Sequence, residues 1–217
     1  MTPFKRSLKR LNALALMVCS CLLVVGLYSP AFGNALAKLG SATPDLQPTI
    51  APGLTLGQTI DANLQAAESV LLAQGADARA MKAYVAVMSD ANVVPNAPMT
   101  NARGAVGAAL VGDRLVVRAS FGALTSAMRD YATDPVDPPN PNITSAFHIH
   151  RGMPTENGPF QYALNVTLDE TGLGGSAEGE YTLTPEQLNA LDNMMLYVDL
   201  HTTRNRGGEL RAVLMPY

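Results

Sequence analysis

From Met81 onward the chain changes period. Apolar residues stop recurring at helical spacing and begin to alternate with polar ones, in runs broken by Gly, Pro and Asn every ten residues or so. Alternation places successive side chains on opposite faces of an extended strand. The runs are MKAYVAVM, ARGAVGAALVG, RLVVRASF, AFHIH, PFQYALNVTL, GSAEGEYTLT, MLYVDLHT and ELRAVLM. Eight short strands with turn formers between them predict an all-β, antiparallel Greek-key β-sandwich over residues 81–217. Gly112-Asp113 reads as the turn of a hairpin. In the strand after it, Leu115, Val117, Ala119 and Phe121 share one face and Arg114, Arg118 and Ser120 the other, as in a half-buried strand. One short helix interrupts the sheet: Thr184 can cap it, Pro185 suits its first turn and Gln187 completes a capping box.

The residues before this region divide three ways. The segment 1–37 has four basic residues and no acid, then an apolar run, then small residues, which is the order of a secretory signal. Cleavage is expected after Gly33 or Ala37; the alternative is an uncleaved membrane anchor. Residues 38–58, with three prolines and no aromatics, read as a flexible tether. Residues 59–80 read as a helical segment, with Ile60, Leu64, Ala67, Leu71 and Leu72 at helical spacing and Gly75 at its end. Both cysteines, Cys19 and Cys21, fall in the signal, so the mature chain has no thiol and no disulfide. Loss of the signal takes the formal charge from −3 to −7, since it removes only basic residues. Such a chain, with no basic cluster, is a poor nucleic-acid ligand. It is expected to be secreted, periplasmic or extracellular, off the membrane once the signal is cut, with an unknown extracellular or cell-envelope protein as its partner.

The chain has three histidines. In FHIH, alternation sends Phe147 and Ile149 to one face and His148 and His150 to the other. In LYVDLH, Leu196, Val198 and Leu200 share the apolar face, and Tyr197, Asp199 and His201 the polar one. All three histidines therefore leave the core side. If the two strands are neighbours, His148, His150 and His201 form a three-nitrogen site for one copper or zinc ion, with water or Asp199 as a fourth ligand. The alternative is structural, each ring hydrogen-bonding the loops, with Asn157 and Glu209 as partners. Glu209 and Arg211 face alike on the last strand, and an exposed ion pair between them is expected; the alternative is an Arg211 that attracts an anion to the metal.

FHIHRGMPTENGPF followed by LYVDLHTTRNRGGELRAVL resembles the CHRD domain, named for chordin. The chain keeps His148, His150, Gly152, Asn157, Gly158, Pro159, Tyr197, Val198, His201, Thr202, Gly207, Gly208, Glu209 and Arg211 of that pattern, and Val94-Pro95 of its opening loop. It departs at Ala212, usually glycine, and in a long proline-rich insert before Ser145. The resemblance implies a secreted all-β domain with the histidine strands as its signature. A weaker resemblance is to the Cu/Zn superoxide dismutase sandwich, which places an arginine beside copper where Arg211 stands. That family's copper centre uses four histidines, so this chain cannot build it, and dismutase-level activity is not expected.

No nucleophile elbow, phosphate-binding loop or C-x-x-C is present. Enzymatic turnover is not expected beyond weak copper redox chemistry. The rival reading is a metal-free extracellular module for protein or glycan binding. Its weakness is the absence of tryptophan and the 6% aromatic content, since Trp and Tyr dominate such surfaces.

Overall fold

The computed structural model describes residues 55–217. The expected signal at 1–37 and the expected tether as far as residue 54 lie outside the described residues. Among those described, no helix is long and apolar enough to cross a membrane.

The first element is helix α1, Leu56–Ala73. It begins three residues earlier than helical periodicity suggests, because Thr55 and Gln58 form a capping box: each side chain satisfies a backbone N–H of the other. Residues expected to close the tether thus start the helix. Ten strands follow: β1 Lys82–Met88, β2 Arg103–Val111, β3 Arg114–Gly122, β4 Phe147–Arg151, β5 Phe160–Ala163, β6 Asn165–Leu168, β7 Gly175–Thr182, β8 Leu196–Leu200, β9 Leu210–Val213 and β10 Met215–Pro216. Helix α2, Pro185–Asp192, lies between β7 and β8 with the Thr184–Gln187 capping box in place.

The strands make two antiparallel sheets, in the orders β10-β1-β2-β3-β7-β6 and β5-β4-β8-β9. The expected eight strands become ten because two runs change sheets partway. PFQYALNVTL divides at Leu164 into β5 and β6, and ELRAVLM divides at Leu214 into β9 and β10. Both dividing leucines are completely buried. A single run of alternating residues cannot show such a break, since the alternation resumes on the other side of it.

One buried cluster joins the sheets. Tyr84, Val106, Leu110, Val117 and Phe121 from the larger sheet meet Phe147, Ile149, Val198, Leu200 and Leu210 from the smaller. Phe121 and Phe147 touch edge to face at 5.9 Å. The outer face of β3 is not open, contrary to the half-buried reading. Helix α1 covers it, with Ala67 and Leu71 packed on Ala109 and Val116. The helix can approach because β2 offers Gly107 there, where a Cβ would run into the backbone of Leu64. Asn63 makes the contact specific. Its side chain donates to the Ala105 carbonyl at 2.9 Å and accepts from the Ser120 hydroxyl at 3.0 Å.

Candidate metal centre

The four-stranded sheet sets the site. β4 pairs with β8 so that His148 lies opposite Asp199 and His150 opposite Tyr197. His201 follows directly on β8 and is the diagonal neighbour of His148. The ring centroids are 5.6 Å apart for His148 and His150, 5.0 Å for His148 and His201, and 6.5 Å for His150 and His201. One ring nitrogen from each falls within 4.8 Å of the other two.

These rings face away from the sandwich core, as alternation requires, yet they are not on an open polar face. His148 is 2% exposed and His201 8%. Three aromatic rings enclose them. Tyr197 stacks on His150 at 5.3 Å, nearly parallel. Phe160 meets His148 edge-on at 5.3 Å. Tyr131, from the proline-rich insert, lies 5.2 Å from His148 and 6.4 Å from His201. Phe160 reaches the histidines through a β-bulge. The β4–β5 register shifts between Ile149 and His150, so Tyr162 pairs with Ile149 while Phe160 pairs with His150. The extra residue, Gln161, sends two side chains that would share a face to opposite faces.

Each histidine has one nitrogen tied to a backbone carbonyl. His148 Nε2 donates to Ser145 at 2.6 Å, His150 Nδ1 to Gly158 at 3.0 Å, and His201 Nδ1 to Arg206 at 3.0 Å. A carbonyl only accepts, so each bond assigns its proton and leaves a lone pair on the other nitrogen. His150 Nε2 and His201 Nε2 are buried with no hydrogen-bond partner. Burial foremost, then repulsion from His201, pushes His148 down to about 3; burial likewise brings His201 to about 4 and lowers His150. The rings are therefore neutral near pH 7, the form that binds metal.

The loops over the site are folded by the same residues that mark the sequence motifs. The segment Asn157–Pro159 turns back on β4: Gly158 N–H donates to the Tyr197 hydroxyl at 2.7 Å, and the Pro159 carbonyl accepts from Arg151 N–H at 3.0 Å. A side chain at Gly158 would strike the Arg151 carbonyl. The insert is pinned to the other side. Arg129 N–H donates to the His201 carbonyl at 3.1 Å, and its guanidinium lies 4.5 Å above the Tyr131 ring. Asp134 holds both Arg129 and Arg206.

The expected Glu209–Arg211 pair does not form. Arg211 is 2% exposed and binds Asp199, directly opposite on β8, through two bonds of 2.7 and 2.8 Å. It also donates to Asn157 Oδ1 at 2.7 Å and the Glu156 carbonyl at 3.0 Å, and lies 4.5 Å over the Tyr197 ring. Asn157 thus serves the arginine, not a histidine. Asp199 Oδ2 is 3.9 Å from His150 Nε2, but both its oxygens are engaged by Arg211. Glu209 sits completely buried elsewhere, clasped by Thr100, Thr125 and Thr202, where it joins three loops. Tyr131 and Phe160 were missed as site residues. The insert carrying Tyr131 has no periodic pattern, and the bulge that turns Phe160 is a tertiary feature.

With two antiparallel sheets and the three histidine rings on the smaller one in view, the chain can be placed. The CHRD domain model matches residues 84–214, more than half of the chain, and the protein belongs to that family. No curated protein and no solved structure matches it.

Proposed function

We propose that this CHRD protein is an exported domain that binds one metal ion, copper or zinc, through His148, His150 and His201. One observation carries the reading. Three imidazoles, each with one nitrogen fastened to a carbonyl, bring one ring nitrogen apiece within 4.8 Å of the other two, and His150 Nε2 and His201 Nε2 are buried without a partner. Fastening the outer nitrogen fixes tautomer and ring orientation, the usual support behind metal-binding histidines. Leaving buried polar atoms unpaired costs about 1–3 kcal/mol each, which an ion would recover. Nitrogens bound at ~2.0–2.1 Å to one ion stand ~3.4–4.2 Å apart, so a small inward movement of the rings completes the site.

Export is inferred from the family, whose domains are typically extracellular, and from the charged, apolar and small-residue order of residues 1–37. Metal analysis of the purified protein, with titration of copper and zinc into chelator-treated samples, tests the binding. One equivalent is expected, and none for His150→Ala. Unchanged uptake by that variant ends the proposal. N-terminal sequencing of exported protein should give a start at Asn34 or Lys38; a start at Met1 rejects export by this route.

A further inference from the structure

The surroundings of the three histidines also distinguish between ions. All three ligands are neutral. Among the described residues, no carboxylate or thiol joins the three nitrogens. Asp199, 3.9 Å from His150 Nε2, is held away by two bonds to Arg211. The ion-paired side chains on the elements framing the rings are Arg129, Arg206 and Arg211 against Asp134 and Asp199. His150 Nε2 and His201 Nε2 are sealed from solvent.

Two physical consequences follow. The cost of moving an ion from water into an enclosed apolar volume grows with the square of its charge, so a divalent ion costs about four times what a monovalent one does. Zinc is almost always four-coordinate, and among the described residues no fourth side chain joins the three nitrogens. A largely enclosed site of three neutral nitrogens, with no fourth side chain joining them, suits a monovalent ion of low coordination number.

Building on the metal-binding reading above, we propose that the site is selective for the cuprous ion, held three-coordinate by His148, His150 and His201. Arg211 acts as a positioning residue that sets this selectivity by keeping the Asp199 carboxylate off the metal.

The test uses the full chain with Cys19→Ser and Cys21→Ser, so that thiols outside the domain do not compete. Cu(I), kept reduced with ascorbate, is competed against bicinchoninate, and Zn(II) against a chromophoric zinc chelator, both at pH 7. The expected result is one Cu(I) bound with a dissociation constant at least a thousandfold below that for Zn(II), and an X-ray absorption spectrum showing three nitrogen neighbours. Arg211→Met, checked for folding by circular dichroism, should bind Zn(II) at least tenfold more tightly, because Asp199 is freed toward the metal. Asp199→Asn should bind Zn(II) no better than the parent. Tyr131→Phe should keep its Cu(I) affinity within twofold; a tenfold loss would make the phenol a fourth ligand and overturn three-coordination. Zinc binding as tight as Cu(I) binding overturns the selectivity while leaving the metal site standing. Failure to bind either ion removes both.

Discussion

Replacing Arg211 with methionine tests how the buried polar layer beneath the loops is held. The substitution keeps an unbranched side chain of moderate size and removes every donor. It leaves Asp199, 3% exposed, as an uncompensated carboxylate inside the protein. It also leaves Asn157 Oδ1 and the Glu156 carbonyl, the acceptors that fasten the Asn157–Pro159 turn, without their donor. Removing one member of a buried ion pair typically costs 3–5 kcal/mol, so a loss of about 4 kcal/mol is expected. With a urea slope of ~2 kcal/mol/M, the unfolding midpoint should fall by ~2 M. The measurement is urea denaturation followed by circular dichroism, with a chelator present so that bound metal does not contribute. The double substitution Asp199→Leu with Arg211→Met should recover most of the loss, since an apolar pair of similar volume leaves no stranded charge. A midpoint shift below ~0.5 M for Arg211→Met would refute the reasoning, because a pair worth so little behaves like one in solvent.

Leu71→Ala removes an almost completely buried side chain from the contact of α1 with Ala109 and Val116. It should cost ~2–5 kcal/mol in the same assay and raise amide exchange along α1 before the sheets. Gly158→Ala should displace the turn that holds His150 Nδ1, lowering metal uptake by ~10-fold or more; unchanged uptake would mean that the carbonyl bond does not orient the ring. For the metal-free protein, acid should be destabilising well above the carboxylate range. His148 and His201 stay neutral in the folded chain down to about 3 and about 4, whereas the unfolded chain takes up protons below about 6.5. Their contribution is therefore complete above pH ~6.5 and is lost as pH falls from there toward 4, by at most ~2.7 kcal/mol per pH unit for the two together. A urea midpoint unchanged between pH 7.5 and pH 5 contradicts it.

Much of this protein was legible in the chain because alternation is a local property. The faces of β3, β4 and β8 follow from residues two apart, and so does the departure of all three histidines from the core. The capping box before α2 was equally local, needing only Thr184, Pro185 and Gln187. The residues that mark the family are sequence facts too, and the motif from His148 to Pro159 is the one that folds over the site.

Other features depend on what lies across a sheet or beneath a loop, and no local pattern records them. Leaving the core face says nothing about meeting water: the histidines are covered by Tyr131 from an insert without periodicity and by Phe160 turned through a bulge. Arg211 faces Glu209 in sequence spacing but Asp199 in space, because cross-strand register brings residues twelve positions apart into direct opposition. The strand count rose from eight to ten because Leu164 and Leu214 carry the chain between sheets, and alternation reads the same on both sides of such a crossing. Which side chains leave the core follows from alternation along each strand. The packing of sheet, insert and turn is what gathers three of them under aromatic cover, each with one nitrogen held by a carbonyl and with an ion-paired carboxylate beside them.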